Sequence, residues 1–302
     1  MKNKNRAFSL IELSIVILII GILIAGVTQG SRLVGASKLQ TAQNVTQSSP
    51  VQSTKGLVLW LEPTKEKSFL SSEAIDKGQL SRWFDNNPQL AIPASFQATA
   101  SADITYTAIS AINGLPSVTF SADNASMEGP YNGGTLSSIN TPFNAYTIFA
   151  VVRSTSLTAA NTIFYNGTSG TNGFALNKTA DDGAFSVAAQ GLTALTSATN
   201  TAVGVPEILS VTIAPDSVLG VAEGNPAVAS FKNGVAGIAS DLSGNLVATT
   251  VGMYVGNAAA AASTEFVGDI SEIIVFDSAL NKTSRQQIEK YLSKKYAIPV
   301  TQ

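Results

Sequence analysis

The feature that most constrains this chain is an apolar run from Leu13 to Ser31 that carries no charge and begins directly after a glutamate, Glu12. As an α-helix rising about 1.5 Å per residue, the run is long enough to cross a ~30 Å hydrocarbon layer. Three basic residues precede it (Lys2, Lys4, Arg6), and the next charge after Glu12 is Arg32. A carboxylate in such a segment costs roughly 2.5–3.5 kcal/mol to insert, so Glu12 reads as a functional residue by default. The basic start belongs on the cytoplasmic side, which puts everything after Val27 across the inner membrane. A secretory signal peptide is the plain alternative, but Glu12 stands at the front of the apolar core and no small-x-small cleavage site follows. A simple membrane anchor leaves Glu12 unexplained.

The segment Phe8-Ser9-Leu10-Ile11-Glu12-Leu13 behind a short basic leader resembles the N-terminus of the type IV pilin superfamily, over roughly residues 1–30. The resemblance implies a leader of residues 1–7, prepilin cleavage between Ala7 and Phe8 by a prepilin peptidase/methyltransferase, N-methylation of Phe8, and subunit assembly through Glu12. Two positions depart from the pattern. The residue before the cut is usually Gly and here is Ala7, and the Pro that often kinks the helix is missing, leaving Gly21 and Gly26 as its weak points. Cleavage frees an α-amino group with a reference pKa of about 7.7–8.0. Glu12 of one subunit can meet that cation on a neighbour. A buried pair need not add net stability, but a lone buried carboxylate is strongly penalised, so the contact would select register.

Beyond the apolar run the pattern stays helical but turns polar, and Pro50 marks its end because the residue before a proline disfavours helix. The expected organisation is leader 1–7, membrane and assembly helix 8–47, polar linker 48–55 and a β domain 56–302. Leu57–Leu61 and Tyr146–Val152 are apolar on both strand faces, as in strands buried inside a sandwich. Shorter strands are expected at Thr162–Tyr165, Phe174–Asn177, Ala184–Ala188, Glu207–Ile213, Ala227–Lys232 and Thr250–Val255. Turn pairs separate them at Asn113-Gly114, Asn166-Gly167, Asp182-Gly183 and Asn233-Gly234, with Ser243-Gly244-Asn245. Residues 266–277 read as a long strand. A final helix follows with Asn281 as its N-cap and Ile288, Tyr291, Leu292 and Tyr296 along one face. Many short strands at regular spacing indicate an all-β sandwich or jelly roll.

The opening Leu-Trp-Leu at 59–61, Asn-Gly-Leu-Pro at 113–116, Thr-Ile-Phe-Ala-Val-Val at 147–152 and the closing strand-plus-helix resemble laminin-G-like, concanavalin A-like jelly rolls of bacterial surface proteins, over residues 56–298. The fold class expected is therefore a long N-terminal hydrophobic α-helix followed by an antiparallel jelly-roll sandwich with a C-terminal helix. Such folds host glycosidases with acids two apart on one strand. Here Glu265, Asp269 and Glu272 are offset by four and three, so Glu272 is expected to face away from the others, and no enzyme is expected. Many laminin-G-like domains bind Ca²⁺; Asp123, Asn124, Asp181, Asp182, Asp216 and Asp241 are oxygen donors, but they form no dense loop, and no cofactor is expected. Trp60 is expected in the core. The Asn-x-Ser/Thr triplets at Asn44, Asn124, Asn166, Asn177 and Asn281 are expected by chance in so Ser/Thr-rich a chain.

Composition narrows the rest. The chain has no cysteine and no histidine, which removes disulfides, thiol chemistry, His-based metal sites and Ser-His-Asp catalysis. Its net charge of −2 and charged fraction of 13%, against ~25% in typical soluble proteins, give no footprint for nucleic acid. The function expected is a pilin-like subunit of a type IV pilus or related filament. It would form homo-oligomers or mixed filaments with other pilins, wait in the inner membrane before assembly, and display its jelly roll outside the cell, where surface glycans are its candidate partners. Two alternatives stay open: a pseudopilin of a type II secretion system, and a membrane-tethered carbohydrate-binding protein that never polymerises.

Overall fold

The computed structural model describes residues 10–301 except 91–92, 100–102, 122–124, 133–134, 137–144, 158–160, 167–173, 180–183, 190–194, 197–201, 216–225, 238–239, 242–251 and 258–263. Helix α1, Leu10–Gln47, runs as one element through Gly21 and Gly26. It stops short of Pro50, which opens a single 3₁₀ turn, Pro50–Ser53. Residues 48–55, read as a polar linker, include Val51, which is fully buried.

The β domain is two antiparallel sheets face to face. Among the described residues the first runs β16 (Val235–Ala236), β15 (Pro226–Lys232), β14 (Glu207–Pro215), β9 (Tyr146–Ser154), β19 (Gly268–Phe276), β6 (Ser117–Phe120), β5 (Ile104–Thr107), β2 (Gly78–Gln79). Two more strands join it off this path, β1 (Leu57–Leu61) against β19 and β17 (Ser240–Asp241) against β15. The second runs β13 (Leu195–Thr196), β12 (Phe185–Ala189), β11 (Phe174–Lys178), β10 (Asn161–Asn166), β18 (Met253–Val255), β7 (Met127–Asn132), β4 (Ser95–Ala98), β3 (Arg82–Phe84), with β8 (Thr135–Leu136) beside β7. Helix α2, Lys282–Tyr296, closes the chain, and Asn281 caps it as expected: its Oδ1 accepts from the Ser284 amide at 2.9 Å.

Two cores explain the strands that are apolar on both faces. Between the sheets, Ile148, Ala150 and Val152 of β9 and Leu209, Val211 and Ile213 of β14 meet Phe96, Met127, Phe164 and Leu176. On the other side of the first sheet, Trp60, Phe149, Val151, Ile274 and Phe276 pack under α2 and the end of α1. A two-layer sandwich would hide only one face of each strand. Here a third, helical layer hides the second, and β19 is buried at every position.

The turn pairs divide. Asn233 and Gly234, at φ of 50° and 77°, close the two-residue β15–β16 hairpin in the left-handed region such turns require. Asn113 and Gly114 share that conformation but lie inside the longer 108–116 connection between β5 and β6. The pairs at Asp182-Gly183 and Ser243-Gly244-Asn245, and Gly167, lie outside the described residues.

Candidate functional site

From Leu10 to Val34 every residue of helix α1 is exposed: Leu10 is 87%, Ile24 63% and Val27 73% exposed. An 18-residue window within it has a mean hydropathy of 2.9 with none of it buried. Water does not tolerate so large a continuous apolar surface, so lipid or other protein must cover it. Glu12 stands in the first turn, and Ala7 and Phe8 lie outside the described residues. Burial begins where the helix meets the domain. Ala42, Val45 and Thr46 are buried, Gln43 Nε2 donates to the Thr64 carbonyl at 2.8 Å, and Lys38 Nζ donates to the Asn113 carbonyl at 3.2 Å.

Beneath that junction lies a closed polar cluster. Glu272, on β19, is fully buried; its Oε1 accepts from Trp60 Nε1 at 2.7 Å and Tyr291 OH at 2.8 Å, and its Oε2 from Lys295 Nζ at 2.9 Å and Tyr296 OH at 2.8 Å. Lys295 Nζ also lies 3.3 Å from Glu62 Oε2, and the Glu62 carboxylate accepts from the Thr64 hydroxyl at 2.7 Å. Tyr291 OH is 3.4 Å from Thr46 Oγ1 of α1, so the cluster reaches the long helix. Burial, and then the Glu272 carboxylate, holds both tyrosines well above the ordinary phenol range. Burial lowers the Lys65 ammonium, which sits 4.3 Å above the Trp60 ring. Every donor and acceptor here is matched, and such a cluster resists rearrangement because removing one partner strands a buried charge.

The strand-parity expectation for the three acids is overturned. Pairing between β19 and β9 shifts register between Ile270 and Glu272, a bulge that inserts one residue and resets the alternation. Asp269 and Glu272 therefore share the outer face of the first sheet. Asp269 accepts from Arg153 Nη1 at 3.0 Å and Thr119 Oγ1 at 2.7 Å, and Glu272 is enclosed as above. Both carboxylates are thus committed within the fold. Trp60 is fully buried, as expected. Of the calcium donors, Asp123, Asn124, Asp181, Asp182 and Asp216 lie outside the described residues. Asp241 sits in β17, and no group of three or more acidic residues suited to a metal occurs among the described residues.

Sequence reasoning also passed over a row of side chains on the outer face of the second sheet. Register pairs Arg82 with Gln97, Gln97 with Glu128, Glu128 with Tyr254 and Tyr254 with Tyr165, across β3, β4, β7, β18 and β10. Their sequence neighbours Trp83, Phe96, Met127, Met253 and Phe164 point into the core, which turns the row outward. Five strands at about 4.8 Å spacing make it ~19 Å long. Tyr254 OH donates to Glu128 Oε1 at 2.9 Å, and the two tyrosine rings lie 6.4 Å apart. The residues come from five strands far apart in sequence, so only the pairing reveals them.

Residues 2–28 match the family described as the prokaryotic N-terminal methylation motif. Among curated proteins none matches the sequence. Solved structures similar to the β domain include Trypanosoma rangeli sialidase in a covalent-intermediate complex, with 14% identity and a TM-score of 0.53, covering 82% of this chain and 34% of that one. Domain 4 of AbnA, a GH43 extracellular arabinanase of Geobacillus stearothermophilus in complex with arabinotriose, matches at 13% identity and a TM-score of 0.50, covering 80% and 98%. The botulinum neurotoxin type G receptor-binding domain matches at 11% and 0.50, covering 80% and 52%. The chain thus spans about a third of the sialidase and nearly all of the arabinanase domain. At these identities the likeness shows a shared β-sandwich fold.

Proposed function

We propose that this protein is a pilin-like subunit that polymerises through α1 and displays its β-sandwich on the outside of a type IV pilus or related filament. The observation that carries this reading is an apolar helix, bare from Leu10 to Val34, whose far end is built into the β domain. The methylation motif over residues 2–28 supports processing at Ala7 and Phe8 by a prepilin peptidase/methyltransferase. It also supports a stay in the inner membrane before assembly. A flexible tether would serve a membrane-anchored domain as well as a rigid one, whereas a filament needs each helix to fix the position of its domain. Stacking identical chains head to tail uses two different patches and so makes an open helical array.

The displayed domain is an adhesive module for glycans in this reading, favoured by the Arg82–Tyr165 row, where a guanidinium, an amide and a carboxylate lead to two adjacent phenol rings, half-buried Tyr254 and buried Tyr165. Neighbouring folds include a domain solved with arabinotriose. Replacing Glu12 by Leu removes the only acid before Glu62 and lengthens the apolar run. The variant is expected to insert in membranes at the normal level yet be missing from filaments sheared off cells. Recovery of Glu12→Leu in that fraction at parental yield would refute assembly through this residue. Retention of the unaltered chain in membranes, with none in the sheared fraction, would leave the tethered reading standing.

A further inference from the structure

Helix α1 carries three charges between Leu10 and Gln47: Glu12, Arg32 and Lys38. Lys38 is spent on the Asn113 carbonyl. Arg32 is solvent-exposed and makes no hydrogen bond or ion pair among the described residues. It stands at the mouth of a cleft of about 320 Å³ between the helix and the β5–β6 connection, beside Gly35, Leu39, Tyr106, Ile109 and Pro116. Ile109 is 73%, Leu33 71% and Val34 58% exposed, so large apolar side chains stand uncovered beside the cleft. A Cβ on Gly35 would meet nothing within 4 Å, which leaves that wall open to an incoming backbone.

We infer that the occupant is the N-terminal helix of a second copy, seated so that its Glu12 pairs with Arg32. Arg32 is the one charged residue lining the cleft, and the apolar run of α1 from Leu10 to Val27 carries one charge, Glu12. The two surfaces are therefore complementary in character and in charge, and a single offset brings both into register. Glu12 and Arg32 are twenty positions apart in the sequence, and at about 1.5 Å per residue the helices stack parallel with a stagger of ~30 Å. The incoming residues after Glu12 then lie along Gly35 to Gln47 of the receiving copy, level with its β domain. A guanidinium holds a carboxylate through two parallel hydrogen bonds, which fixes orientation as well as distance. This inference rests on the filament reading and adds the axial step. The competing cation for Glu12 is the freed amino group of Phe8 on a neighbour.

Cells producing the full-length chain as Glu12→Arg, as Arg32→Glu and as both together are sheared, and filament and membrane fractions are compared. Each single variant is expected to lose at least tenfold in sheared filament, and the double variant to return to within about threefold of the parent. A charge-reversed helix can fail to insert, so a second measurement keeps both charges. The chain has no cysteine, so Leu13→Cys with Leu33→Cys places thiols one position beyond the pair, at the same offset. A short bismaleimide applied to sheared filaments should give a ladder of linked copies, whereas Leu13→Cys with Ile24→Cys should not. Normal filaments from Arg32→Glu, no rescue in the double variant, or a ladder from the Ile24 pair alone would overturn the stagger and leave Glu12 to the amino terminus. If the parent forms no filaments, the function proposed above falls together with the stagger.

Discussion

At the scale of single residues, Asp85 is where the fold and water compete most openly. It follows Phe84 at the end of β3, and its Oδ1 accepts from the Trp60 amide at 2.8 Å and the Asn87 amide at 2.9 Å. Its Oδ2 is buried with no partner. Burial pushes the carboxyl up to about 7 from an ordinary value of 3.8, overcoming the two amides that favour the anion. The sign follows from proton binding. Between pH 4 and pH 7 the folded chain holds this proton and the unfolded chain does not, so stability falls as pH rises, by up to about 1.4 kcal/mol per unit from this group. Asparagine keeps the acceptor and has no charge to bury. Asp85→Asn is therefore expected to flatten the fall in urea midpoint between pH 5 and pH 8 and to be the more stable protein at pH 8. An unchanged pH slope in the variant would show that Asp85 is solvated in the fold.

At the scale of elements, strands were legible where turn chemistry bounded them. The β10, β11, β14 and β15 segments fall within two residues of expectation because Asn-Gly and similar pairs stop each run. The C-terminal helix was legible from its cap and its stripe of Ile288, Tyr291, Leu292 and Tyr296. What escaped was anything set by pairing rather than by local pattern. The bulge after Ile270 reverses the parity of Glu272, and no residue type announces it. One signal was available: Lys295 falls inside the apolar stripe of α2, and a lysine at a buried helical position demands an acid, which is Glu272. The Arg82–Tyr165 row escaped for the same reason. If it is the glycan surface, Tyr254→Ala should abolish retention of the full-length chain on immobilised neutral polysaccharide, with its melting temperature shifted by less than a few degrees. That residue is half-buried on the outer face, so the fold does not depend on it. Unaltered retention would move adhesion to another face.

At the scale of the whole molecule, the placement of the second core decides how assembly and display are coupled. Ala42 and Val45 of α1 share that core with Ile112, Leu115, Tyr291 and Leu292 of the domain, and Val51 seals its edge. The first 25 residues of the described helix contribute nothing to either core, while the last dozen are part of the domain. The chain thus behaves as a rigid body with an apolar handle, and a displacement of the handle inside a filament moves the displayed face by the same amount. Two truncations separate these parts. A chain starting at Arg32 loses only bare surface and should be soluble, with a cooperative transition. A chain starting at Pro50 also loses Ala42, Val45 and Thr46 and uncovers Ile112, Leu115 and Tyr291. At roughly 25 cal/mol per Å² of apolar area returned to water, it should be less stable by about 2–4 kcal/mol, read as a lower urea midpoint. Equal midpoints for the two truncations would mean that the helix lies against the domain without holding it, and a filament of such chains would carry loosely hinged heads.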